Sequence, residues 1–129
     1  MLRRATAMLA AMLAALALAG CGGDDDSGLV FEDPKGTIAV ERGMEFTFEF
    51  SVNASVGFDW EPVTTPPEVR LAELEGTDVH YENPDSAGDS GVKRFTYRAG
   101  EKAGHETMVF RQLYRGDLKE RRTITLEVR

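Results

Sequence analysis

The sequence has little of what most chemistry is built from. It holds one cysteine, two histidines and one tryptophan, and no apolar stretch longer than residues 5–19. A single thiol cannot close an internal disulfide, so the fold must rest on packing. His80 and His105 lie far apart with no Cys or His at ligand spacing, which argues against a zinc site. No serine stands in a Gly-x-Ser-x-Gly elbow, and no carboxylate pair sits in the apolar setting that would raise a pKa. Neither an enzyme nor a bound cofactor or metal is expected. Basic charge is short as well, at 15 Lys+Arg against 22 Asp+Glu, for a formal net charge of -7. Nucleic acid needs a basic footprint and is therefore not the expected partner.

What is present begins with an address. Arg3 and Arg4 precede the apolar residues 5–19, the n-region and h-region of a secretory signal. Fifteen residues of helix reach roughly 22 Å, short of the ~30 Å hydrocarbon core, so a permanent spanning helix is disfavoured. The run ends in Leu18-Ala19-Gly20-Cys21, which resembles a bacterial lipobox. Cys21 is accordingly expected to carry lipid and to tether an exported protein at the extracytoplasmic face of a membrane. Residues 22–28 hold three aspartates and no apolar side chain, as a solvated linker does, and lack the rest of a calcium loop. Three segments are expected: a signal peptide at 1–20, a lipidated cysteine and acidic linker at 21–36, and one domain at 37–129.

In that domain apolar residues recur with period two. Met44, Phe46, Phe48, Phe50 and Val52 share one face of a strand whose other face is Glu45, Thr47, Glu49 and Ser51. Further strands are expected at 37–40, 58–63, 69–74, 92–99, 107–113 and 123–128, separated by Gly and Pro breakers, with a brief helical turn as an alternative at 72–75. About seven strands in this length fit an all-β, immunoglobulin-like antiparallel sandwich. Trp60 suits its buried tryptophan.

After the Phe-rich strand comes Asn53-Ala54-Ser55-Val56-Gly57-Phe58-Asp59-Trp60. This segment resembles the Asn-Pro-Thr-Thr-Gly-Tyr/Phe-x-Trp signature of the chagasin family, immunoglobulin-like inhibitors of papain-like cysteine proteases. The resemblance extends over most of 37–129 and takes in Val40 to Phe48, a Gly-containing loop before Tyr97, the turn between Ala99 and Gly104, and the last alternating strand. It implies a wedge of three loops at one end of the sandwich. The first is Asn53, Ala54, Ser55, Val56, Gly57 and Phe58, expected across the catalytic cysteine. Asn53 suits a turn fixed by its side chain, and Gly57 admits positive φ. The second family loop carries Gly-x-Gly-Gly, matched here by Gly88-Asp89-Ser90-Gly91, with serine in place of one glycine. The third usually carries Arg-Pro-Trp. Counting from Gly104 puts Gln112-Leu113-Tyr114 there, or Arg111-Gln112-Leu113 after a shift of one; Tyr114 and Arg115 are the candidates to replace the missing anchors. The implied partner is a papain-like cysteine protease, bound by a monomer. The alternative is a lipoprotein adhesion or scaffold module that binds an envelope protein or glycan through a sheet face.

Overall fold

A computed structural model describes residues 28–81 and 90–129. They form eight strands: β1 (Leu29–Glu32), β2 (Gly36–Val40), β3 (Glu45–Val52), β4 (Phe58–Pro62), β5 (Ala72–Tyr81), β6 (Gly91–Ala99), β7 (Gly104–Tyr114) and β8 (Asp117–Val128). Helical geometry among the described residues is confined to one 3-10 turn, Ala54–Val56. The strands make two four-stranded sheets, ordered β1-β3-β6-β5 and β2-β8-β7-β4. This is the expected all-β sandwich, with parallel pairing of β1 to β3 and of β2 to β8 added to an otherwise antiparallel design.

The alternation in β3 explains the core. Phe46, Phe48, Phe50 and Val52 are buried, and Phe50 stacks on the buried Trp60 with ring centroids 4.5 Å apart. Phe48 meets Phe110 of the other sheet edge-on at 5.9 Å. The outer face of β3 pairs residue for residue with β6. Glu45 binds Arg98 at 3.0 Å, Thr47 meets Thr96 at 3.2 Å and Glu49 binds Arg94 at 2.8 Å. Cross-strand pairs of this kind hold the register, because a slip of one residue would bury the charges.

Three expectations change. Strand β1 lies inside the stretch 21–36 assigned to the linker; it adds to the edge of β3, and Phe31 packs on Phe48 at 6.2 Å. Residues 72–75 are extended within β5 rather than helical, and β5 continues to Tyr81. Strands β7 and β8 begin earlier than alternation indicates, at Gly104 and Asp117, because pairing with each other supplies what apolar patterning does not. Gly88, Asp89 and Cys21 lie outside the described residues.

Register fixes where the connections lie. Val52, ending β3, stands beside Gly91, starting β6, which stands beside Tyr81, ending β5. Phe58, starting β4, stands beside Tyr114, ending β7, itself opposite Asp117, starting β8. The β3–β4, β5–β6 and β7–β8 connections therefore leave the sandwich at one pole. The opposite pole, the base, carries the connections 41–44, 63–71 and 100–103.

Candidate functional site

The first connection is a closed turn. The Asn53 N–H donates to the Phe58 carbonyl at 3.0 Å and the Phe58 N–H to the Asn53 carbonyl at 2.9 Å. Within that bridge Val56 N–H donates to Asn53 at 3.3 Å and Gly57 N–H to Ala54 at 3.2 Å. The main chain of Asn53, rather than its side chain as the sequence indicates, caps this turn. A backbone bridge of this kind works because Gly57 takes φ 79°, turning the chain back toward β4. Ala54, Ser55 and Val56 project from the turn as exposed residues, while Asn53, Gly57 and Phe58 are half-buried.

The third connection differs from both countings made on the sequence. Arg111, Gln112 and Leu113 lie in β7, and the turn itself is Arg115-Gly116, with φ 51° and 84°. Two successive positive φ values are what a two-residue I′ hairpin turn requires, and its twist suits the long β7–β8 ribbon. Counting from Gly104 falls short because the whole run from Gly104 to Tyr114 is strand. Inward-facing Met108 and Phe110 put Gln112 and Tyr114 on the same side of β7, with Arg111 and Leu113 on the outer side. Arg111 is engaged there by Glu61.

The first and third connections are joined. Arg115 N–H donates to the Gly57 carbonyl at 2.9 Å, and the rings of Phe58 and Tyr114 stand 4.7 Å apart. A Cβ on Gly57 would come within 3.1 Å of the Arg115 nitrogen, so glycine is needed for the approach as well as for the turn. Arg115 and Lys119 each lie over the Tyr114 ring, at 5.2 and 5.4 Å from its centroid. Lys119 reaches it because it is the extra residue of a β-bulge, Gln112 facing Glu120 and Leu113 facing Leu118. Among the described residues neither cation has a carboxylate partner, although Asp117 and Glu120 belong to the same hairpin end.

Of the second connection, Ser90 is exposed and Gly91 is buried between Val52 and Tyr81. A Cβ at Gly91 would lie 2.6 Å from the His80 carbonyl oxygen, so this glycine is required by the β5–β6 pairing. Asn53, Phe58, Ser90 and Gln112 come together around a shallow cavity of about 240 Å³, with Gln112 contributed by strand β7 and no residue of the Arg115-Gly116 turn in its wall. Val56, Val79 and Leu118 are large hydrophobic residues exposed near this pole, one beside each connection. Sequence reasoning misses Val79 and Leu118, since an isolated aliphatic residue among charges carries no period; Lys119 is equally silent, as its placement depends on the bulge.

Three ion pairs, made by two cations, brace the pole from below. Lys93 of β6 binds Asp59 of β4 at 3.0 Å, tying one sheet to the other. Arg122 stands 5.1 Å over Trp60 and binds Asp33 at 2.8 Å and Glu120 at 2.9 Å. Burial pulls its pKa down, and the hydrogen bonds it donates to Asp33 and Glu120, with the charge of those carboxylates, outweigh that and raise it above the ordinary value.

No protein-family model matches the chain, and no curated protein sequence matches it. Solved structures do. The cysteine protease inhibitor EhICP2 from Entamoeba histolytica superposes with a TM-score of 0.62 at 14% identity, over 78% of this chain and 95% of that one. The chain has the chagasin-type fold. Amebosin, known from a solution structure, matches at a TM-score of 0.59 and 13% identity, over 79% of this chain and 98% of its own. PbICP-C, in a complex with falcipain-2, stands at 0.49 and 14%, over 78% and 98%. At such identities the likeness is one of fold, and the chagasin-type sandwich here keeps a glycine-closed first turn while its third turn is Arg115-Gly116.

Proposed function

We propose that the protein is a lipid-anchored, extracytoplasmic inhibitor of papain-like cysteine proteases, tethered through Cys21, that blocks the active-site cleft with the pole bearing the β3–β4, β5–β6 and β7–β8 connections. The observation that carries this reading is the fastening of the first turn to the third: the Arg115-to-Gly57 hydrogen bond and the Phe58–Tyr114 contact make one rigid tip of two loops. The fold neighbour EhICP2 is itself a cysteine protease inhibitor.

The physics of blocking without cleavage follows from that rigidity. A thiol protease cuts a peptide that lies extended, its carbonyl in line with the thiolate and the oxyanion donors. Ala54, Ser55 and Val56 are held in a 3-10 turn, which presents no such carbonyl. They are small enough to fill a narrow cleft, and a turn already closed by backbone bonds loses little entropy on binding. Phe58 and Tyr114 stiffen the tip, and Arg115 and Lys119 supply charge to a carboxylate on the cleft wall.

The test uses the soluble chain from Gly22 onward against papain. Competitive inhibition is expected, and Val56→Asp, at an exposed position, is expected to weaken it at least tenfold with an unchanged Tm. A folded sample that fails to inhibit at micromolar concentration would favour the scaffold alternative. For the anchor, Cys21→Ala is expected to accumulate as unprocessed precursor, and normal maturation of that variant would defeat the lipid assignment.

A further inference from the structure

The described chain starts at the base. Leu29 pairs with Phe46, near the base end of β3. Gly28, at φ 63°, sits so close to the Glu45 main chain that a Cβ would overlap its carbonyl oxygen. Strand β1 then runs parallel to β3 toward the site pole, so the polypeptide comes in at the end opposite the turns at Ala54–Val56 and Arg115-Gly116. The seven steps from Glu45 to Val52 in β3 separate the two ends by about 23 Å, and the turn at Ala54–Val56 stands beyond Val52. The chain from Cys21 to Gly28 reaches at most about 25 Å when fully extended. A tether of that reach, fixed at the base, draws about level with the end of β3 only when fully extended along the domain, and stops short of carrying the turn at Ala54–Val56 clear of its own anchor, so it does not set the site pole on the lipid. Leu29 and Val30, large hydrophobic residues exposed beside the tether, point to the same end as the one nearest the bilayer.

We infer that the anchored domain stands base-down, with Leu29 and Val30 toward the lipid and the three-connection pole facing the aqueous space. Its partner is then a protease that arrives from solution or projects from a facing surface, and not one whose cleft opens against the same bilayer. This rests on the acylation of Cys21 proposed above.

The test is made on the full-length chain, exported, processed and reconstituted in vesicles containing nitroxide-bearing lipid. Ala54→Cys at the site pole and Lys102→Cys at the base are both exposed positions. With Cys21 acylated, each variant offers one thiol for a fluorophore. The label at residue 102 is expected to be quenched at least threefold more than the label at residue 54. Equal or reversed quenching overturns the orientation. The mass of the N-terminal peptide reads the anchor separately: an unacylated Cys21 removes the tether and the inference with it, whatever the quenching.

Discussion

At the scale of single residues, Gly57 answers two demands, a left-handed backbone and the close approach of Arg115. An L residue in that conformation costs about 1–2 kcal/mol, so Gly57→Ala is expected to lower unfolding free energy by about that amount in a denaturant titration. Inhibition of papain should fall by more than stability accounts for, because the added methyl pushes on the backbone that sets the hairpin. An equal, small loss in both measurements would detach the turn from binding. Gly57 is legible in the sequence, since a lone glycine between an Asn-led turn and Phe-x-Trp has few other uses. So are Phe46, Phe48, Phe50 and Trp60, whose alternation survives into the core intact. The capping of the turn is not legible: Asn53 offers a side chain and a main chain, and only the register of β3 against β4 decides which one closes the loop.

At the scale of elements, the β7–β8 hairpin separates turn chemistry from contact chemistry. Arg115 occupies a position of positive φ, where arginine is strained and asparagine is favoured. Arg115→Asn is therefore expected to hold or raise stability, by up to about 1 kcal/mol in thermal or chemical unfolding. Its backbone bond to Gly57 remains while the guanidinium over Tyr114 goes. If that cation contacts the protease, inhibition weakens severalfold in a more stable protein, and the salt dependence of association shrinks. Unchanged inhibition would assign Arg115 to the turn alone. The elements that the sequence conceals share one cause. Strand β1, the far half of β5 and the start of β8 lie at edges or beyond the core, with Glu73, Glu75, Asp78 and Leu118 exposed. Their extension comes from hydrogen bonding to a neighbouring strand, and period-two patterning reports burial on one face, of which they show little beyond Phe31.

At the scale of the whole molecule, the meeting of three connections at one pole is a consequence of topology that no local pattern encodes. Pairings such as Val52 with Gly91 and Phe58 with Tyr114 span much of the chain and appear only once both sheets are assembled. What holds the sheets together is an aromatic layer, and Tyr97 reports on it. Its ring stacks on Phe46 at 5.5 Å, it is about 1% exposed, and burial pushes its phenol pKa well above the ordinary value. In the unfolded chain the phenol loses its proton near pH 10, while the folded state retains it. Above about pH 10 the unfolded state thus binds fewer protons, and stability, complete below that pH, falls as pH rises until the folded phenol itself ionises. Tyr97→Phe removes the titrating group and keeps the ring, so its unfolding free energy should fall less steeply between about pH 9.5 and pH 11 than that of the unaltered protein. Tyr81 and Tyr114 are common to both proteins and cancel in the comparison. Parallel slopes would mean that the phenol reaches water without unfolding, and hence that the sandwich opens at the Phe46–Tyr97 layer before it melts as a unit.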